Sequence, residues 1–321
     1  MSGEAGAIGS DQIIFATGGY DHTIKLWQTH TGNCQKTLQH AESQVNMLEI
    51  TPDRRYLAAA SYQHIRMFDL TTTNQNHDFN YEGVPKNVTA VGFEKNTKWM
   101  YSGGEDGKVR IWDLRETTNN PHHYEVFAPV TCVQLHPNQS EVFIGDQNGT
   151  IHMWDMKTDN ADQYIPDLDN MIIDLAINPD GTHLAAVNSK GRCFIWSISG
   201  GCKSEERTTI LPKNKFEAHP RQALKCKFSP DSNYLVTTSS DQTAKIWDAK
   251  NNFKLIKELK HNNKRWVWDA AFSSDSQYLF TGSSDNIARL WNVKDGTIER
   301  EYVGHQKAIT TIAFRDVFVP A

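Results

Sequence analysis

The sequence predicts an all-β, seven-bladed β-propeller whose ring is closed by pairing the C-terminal strand with the N-terminal blade. Three features predict it: an aromatic-ended segment recurs seven times, a turn position precedes six of the copies at a nearly fixed distance, and the chain starts and stops part-way through a repeat.

The anchors set the period. TIKLW ends at Trp27, HIRMF at Phe68, VRIW at Trp112, IHMW at Trp154, CFIW at Trp196, AKIW at Trp247 and ARLW at Trp291. Successive anchors lie 41, 44, 42, 42, 51 and 44 residues apart, the length of a four-stranded blade. Pro52, Pro137, Pro179 and Pro230, each followed by Asp or Asn, stand 16 or 17 residues before their anchors, and Lys95 and Ser274 keep that offset. Pro presets φ at the second position of a type I turn, and Asp or Asn accepts local backbone bonds, so each pair marks a tight reversal. Between turn and anchor lie two short β-rich stretches, such as NYLVTTSS and TAKIW. Each unit therefore reads strand a, turn, strand b, tight turn, strand c ending in the anchor, and a looser strand d.

The ends explain the closure. IIFATGG reads as a strand b with no strand a before it, and AITTIAF at 308–314 as a strand a with nothing after it. Pairing that last strand beside residues 13–38 completes a seventh sheet and removes the exposed edges of an open array. The propeller is expected over 11–315, with a flexible N-terminus at 1–10, a C-terminal tail at 316–321, and a mobile surface loop at 199–209, where one interval lengthens to 51.

Composition narrows the function. Thirty-three basic and 38 acidic residues give a formal charge of -5 without blocks, so no nucleic-acid partner is expected. The start, MSGEAGAIGSDQ, lacks a basic region followed by an apolar run, and no segment approaches the roughly 18 apolar residues of a membrane span, so no membrane insertion is expected. The five cysteines, Cys34, Cys132, Cys193, Cys202 and Cys226, are odd in number and scattered, which fits reduced thiols in cytosol or nucleus. No C-x-x-C, G-x-S-x-G, H-E-x-x-H or P-loop occurs, so no metal, cofactor, small-molecule substrate or catalytic residue is expected. His122 and His123 read as a polar strand d segment.

One set of residues invites a catalytic reading and is better read as structure. Asp241 precedes Trp247 by six residues and His219 precedes it by 28; Asp285 and His261 stand in like relation to Trp291. In the closed ring His305 joins Asp21 and Trp27, although almost the whole chain separates them. Asp accepts from the His ring and from turn N–H groups, Thr237 or Ser239 on strand b bridges, and the indole N–H is the last donor. A buried carboxylate needs such partners. An active site is needed once per protein, whereas this set recurs in three successive blades around the closure. The other four blades have lost parts of it: Phe68 with Tyr62, Asn148 before Trp154, Lys190 before Trp196, and Asp106 with Trp112 but no His upstream.

A candidate partner site comes from comparing strand a across the units. Two, four and seven residues before the turn position every unit is apolar or small, as at Ile50, Leu48 and Val45, so those positions pack between blades. Six before it the series reads Asn46, Thr89, Thr131, Ile173, Leu224, Trp268 and Thr310; eight before it, Gln44, Asn87, Pro129, Met171, Gln222, Trp266 and Ala308. Both rings fall at the channel mouth, on the face carrying the d-to-a loops. Only one blade has Trp in both, with Gln44 and Asn46 two blades away. Paired indoles with flanking amides resemble an interface hot spot, so Gln44, Asn46, Trp266 and Trp268 are the expected partner-binding residues. The alternative is that both indoles fill a wide channel.

The repeats TGGYDHTIKLW, FSPDSNYLVTTSSDQTAKIWD and VGHQ resemble the WD-repeat family over residues 11–314. More narrowly, ASYQHIRMFDL, MYSGGEDGKVRIWDLR, LHPNQSEVFIGDQNGTIHMWDMKTD and DNIARLWNVKDGTIEREYVGHQKAI resemble the G-protein-beta-like subunits of the target of rapamycin (TOR) kinase complexes, and the degenerate second blade makes that match specific. The resemblance implies a cytoplasmic, non-catalytic subunit. It would dock on the TOR kinase catalytic domain and assemble with other TOR complex subunits, supporting growth control by nutrients and cytoskeletal organisation. A second possibility rests on WDLR, Trp112 to Arg115, which resembles the box by which some propellers become substrate receptors of cullin-type ubiquitin ligases.

Overall fold

The computed structural model describes residues 13–40, 42–115, 121–200, 208–261 and 263–316. The expected flexible N-terminus at 1–10, nearly all of the expected tail at 316–321, and the centre of the 199–209 loop lie outside the described residues.

Among those residues the chain forms seven four-stranded antiparallel sheets and no helix. Six sheets follow sequence order from inside to outside. Blade 6 is an example, with Ala223–Phe228 as strand a, then Tyr234–Ser239, Thr243–Asp248 and Lys254–Lys260. The exception is blade 1, whose innermost strand, Ile309–Arg315, comes from the C-terminus and pairs with Ile14–Gly19. Each innermost strand touches those of the blades before and after it, so the ring is complete.

The closing seam is held by backbone and by rings. Phe15 pairs with Phe314, and Gly18 with Thr311. Phe15 lies 4.3 Å from Phe280 and 4.8 Å from Tyr302, and Phe280 stacks on Phe314 at 4.5 Å, so aromatic faces of blades 7 and 1 interlock where both termini meet. A side chain at Gly19 would strike the Ala308 carbonyl oxygen at 2.3 Å, so the approach of the two ends requires glycine there.

Two features of strand a explain the ring positions. The residues four and seven before the turn are buried in every blade, as Leu48 and Val45 show, whereas the residue two before it is buried at Ile50 and Phe272 and half-buried in the other blades. In blades 3 to 7 the ladder shifts register around the residue six before the turn, between Val88 and Ala90 and likewise between Val267 and Asp269. A β-bulge re-aims the extra side chain, so Thr89 and Trp268 leave the inter-blade pattern. The residue after the bulge ties blades together. Cys226 N donates to Asp174 at 2.9 Å, Ile312 N to Asp269 at 2.8 Å, and Leu48 N to the Thr311 hydroxyl at 3.0 Å.

Candidate functional site

Strands c and b meet the d-to-a loops on one face, and the His–Asp–Trp sets lie beneath it. In blade 6, His219 Nδ1 is 2.7 Å from Asp241 Oδ2 and its Nε2 is 2.8 Å from the Thr237 hydroxyl, which accepts from Trp247 Nε1 at 2.9 Å. Of the two bridging residues expected, Thr237 takes the role; Ser239 donates to the Gln222 carbonyl instead. Partner chemistry assigns the protons: a carboxylate only accepts, so Nδ1–H donates to Asp241, leaving Nε2 to accept from Thr237. Blade 1 repeats this across the two ends of the chain, with His305 2.8 Å from Asp21 and 2.7 Å from Thr17, and Trp27 Nε1 2.8 Å from Thr17. Burial pushes the Asp241 carboxyl up, but the bond and charge of His219 together with the Thr243 bonds outweigh it and hold the group at about 2.

Blade 7 differs from the expectation. His261 does not meet Asp285; Arg289 stands between them, 2.7 Å from Asp285 and 3.1 Å from His261 Nδ1. Guanidinium only donates, so Nδ1 must accept, and Nε2–H turns to Thr281 at 3.3 Å, the opposite tautomer from blade 6. Burial, then the Arg289 charge, lower His261 to about 4. The same strand c position, two before the anchor, carries Arg110 on Asp106 in blade 3 and His152 on Asp146 at 3.0 Å in blade 4. Blade 4 therefore keeps a buried carboxylate pair despite Asn148. In the sequence the signal was Arg or His two before a Trp anchor, in VRIW, IHMW and ARLW, where blades 1 and 6 carry Lys25 and Lys245.

Blade 2 also holds an unexpected residue. His40 precedes Phe68 by the usual 28 residues, is fully buried, and stacks on His64 at 5.4 Å with no well-formed bond to either ring nitrogen. With Tyr62 in the carboxylate's place and Ala58 ten before the anchor, its usual partners are gone.

Of the four expected partner residues, Gln44 and Asn46 precede the blade 2 strand Met47–Ile50, and Trp266 and Trp268 stand at the start of the blade 7 strand Val267–Phe272. Trp266 is 42 % exposed and packs against Trp268 at 5.4 Å. Trp268 is half-buried and pinned by an Nε1 donation to Ser284 at 2.6 Å, and Tyr20 meets it edge-on at 6.4 Å. The cluster is thus three rings from two blades, and Tyr20, next to Asp21 in GGYDH, is the member that strand a comparison missed. Gln44 is half-buried. Asn46 is more constrained than a free contact amide: its Nδ2 donates to the Val88 carbonyl at 3.0 Å. Thr89 and Thr310 likewise donate to Val130 and Val45 carbonyls, so three of the polar residues at this ring position stitch successive blades, while Thr131 donates to Gly145 within its own blade. Ile173 and Leu224 have no group for that stitch, and Trp268 directs its N–H to Ser284 instead. Other apolar side chains are exposed on this face, at Tyr62, Leu168 and Phe127, the last 89 % exposed.

No cluster of three or more His, Cys, Asp or Glu suited to a metal occurs among the described residues. Burial pushes the Cys132 thiol up to about 12. No described helix is long and apolar enough to cross a membrane. His122 and His123 begin the strand d His122–Glu125. Arg115 folds back on Asp113, with its Nε 2.9 Å from a carboxylate oxygen.

Seven four-stranded blades, recurring Asp–Trp punctuation and a C-terminal strand that completes the first blade define a WD-repeat propeller. The family model described as WD domain, G-beta repeat matches residues 7–28, 32–69, 211–248 and 253–292, and that of the nucleolar protein 10-like N-terminal domain matches 58–198. Over its whole length the chain belongs to the LST8 family. It is 52 % identical to target of rapamycin complex subunit LST8 of Bos taurus, covering 98 % of this chain and 99 % of that one. It is 49 % identical to the protein LST8 homolog of Drosophila melanogaster, covering 96 % and 98 %, and 41 % identical to the LST8 subunit of Saccharomyces cerevisiae, covering 95 % and 99 %.

Proposed function

We propose that this chain is a non-catalytic subunit of TOR complexes that binds the TOR kinase catalytic domain through the face carrying Trp266 and Trp268 and supports the kinase in growth, nutrient signalling and cytoskeletal organisation. Its relatives are named as TOR complex subunits, and that membership carries over at this identity and coverage. The observation behind the docking face is the ring cluster of Trp266, Trp268 and Tyr20, open to solvent on a rigid disc. Desolvating such anchors supplies most of the energy of many interfaces, and a preformed surface loses little entropy on binding. Gln44 and Asn46, two blades away, are taken as its polar rim. A cytoplasmic site of action follows from the partner.

Affinity purification of the tagged chain tests this reading. Recovery of a very large kinase supports it; recovery of a cullin adaptor in the kinase's place would move the function to the WDLR segment. The Arg115 side chain, held by Asp113, speaks against that second role.

A further inference from the structure

Away from the channel, the outer rim between blades 4 and 5 opens into a groove of about 620 Å³. One wall is the segment that leaves strand d of blade 4, with Tyr164 and the exposed Ile165; the other is blade 5, with Phe194, Trp196 and the outermost strand Thr209–Glu217. Phe194 stacks on Trp196 at 6.0 Å and carries Lys215 over its face at 5.0 Å. Lys213 also lines the groove, 2.6 Å from His183 Nε2. The lining contains two lysines and no carboxylate, in a chain whose formal charge is -5.

A second observation points the same way. Ten residues before the anchor, blades 1, 3, 6 and 7 place a hydroxyl that accepts the indole N–H, from Thr17, Ser102, Thr237 and Thr281. In blade 4 the Asp159 carboxylate accepts it. Blade 5 has Ala186 there, so no strand b hydroxyl meets the Trp196 indole, and Trp196 lines the groove instead. An anchor that lacks the strand b hydroxyl and lines an aromatic groove presents its ring to whatever occupies that groove.

We infer that this groove binds an extended acidic segment of a partner protein, in which an apolar side chain enters between Ile165 and the Phe194–Trp196 stack while flanking carboxylates meet Lys213 and Lys215. The charge of the lining selects the class: a basic segment would meet two ammonium groups of like charge, whereas an acidic one is drawn to them. The outer strand Thr209–Glu217 offers a free edge along the groove, which suits an extended backbone. This site is separate from the channel mouth and does not depend on kinase docking.

The test uses the purified full chain and a fluorescein-labelled decapeptide of alternating Glu and Leu, read by polarisation. Saturable binding is expected, weakening as salt rises, with affinity falling about tenfold when Lys213→Glu and Lys215→Glu are combined. The Trp266→Ala, Trp268→Ala variant should bind the peptide like the parent. A Lys–Leu peptide of the same length should bind at least about tenfold more weakly. Equal affinity of parent and double charge reversal overturns the inference, as does equal binding of the acidic and basic peptides, or loss of binding on changing Trp266 and Trp268 alone. Both lysines are on the surface, so the charge-reversal variant is expected to melt with the parent, and a thermal scan accompanies each titration.

Discussion

Replacing Thr237 by Val changes one atom group at the centre of the blade 6 network without opening a cavity. The Thr237 hydroxyl accepts from Trp247 Nε1 at 2.9 Å and lies 2.8 Å from His219 Nε2, so its loss leaves a buried donor and a buried acceptor unsatisfied together. Each orphaned group costs about 1–3 kcal/mol, and Val regains a little by burial, giving an expected loss of about 2–4 kcal/mol. Trp247→Ala should cost about 3–5 kcal/mol, because it removes a buried ring packed at a tilt against Phe216 as well as the bond. Phe68→Ala should cost less than Trp247→Ala, since Phe68 has no bond to lose. Urea unfolding at neutral pH measures all three, through the midpoint at constant m. The double change Thr237→Val with Trp247→Phe should cost less than the sum of its parts, because the donor and the acceptor leave together. A Thr237→Val loss under about 0.5 kcal/mol, the level of an ordinary surface change, would refute the network as a source of stability.

Two further outcomes follow from the same bonds and backbone. Burial, then the Arg66 charge, hold His40 at about 4 against an unfolded value of 6.5, and His64 and His261 are lowered to about 4 as well. A depressed folded pKa gives stability that is present above the unfolded value and is lost as pH falls, so stability should decline between about pH 6.5 and 4. The carboxylates add a later loss: Asp241, at about 2 when folded, contributes stability that disappears as pH falls from its unfolded 3.8 toward 2. His40→Leu should flatten the upper part of that decline by up to about 3 kcal/mol, and an unchanged pH profile would contradict the assignment. Phe127 sits at φ +62° with its ring almost wholly in solvent. Phe127→Asn should therefore stabilise by about 0.5–1 kcal/mol, since Asn adopts left-handed backbone more readily; a lower thermal midpoint would show that the ring contributes contacts of its own.

The blades were legible because they are written locally: a turn residue, two short strands and an aromatic anchor recur at one period. The closure was legible for the same reason, since a lone strand b and a lone strand a are recognisable at the two ends. The network in blades 1 and 6 could be read from offsets, but blade 7 could not. His261 has the right spacing, and only three-dimensional placement shows that Arg289 reaches Asp285 first. Asn46 was legible as a mouth residue, but not as a blade-to-blade stitch, because its acceptor is a backbone carbonyl in the next blade. Tyr20 escaped because it sits on a b-to-c turn, outside the strand series that brought Trp266 and Trp268 together. The rim groove had no sequence signal beyond Ala186, whose meaning depends on what the other blades carry at that position.

The most direct test of the proposed docking face compares the parent chain with Trp266→Ala, Trp268→Ala in one tagged purification from cells, scored for TOR kinase and accompanied by a thermal melt of each purified chain. Trp266 is exposed and Trp268 is half-buried at the mouth, so the fold should persist, and the account predicts a variant that keeps its cooperative melt but recovers less than about a tenth of the kinase. Gln44→Glu, which places a charge at the rim, should reduce recovery in the same assay to an intermediate level. Full kinase recovery by a folded double variant would contradict docking at this face.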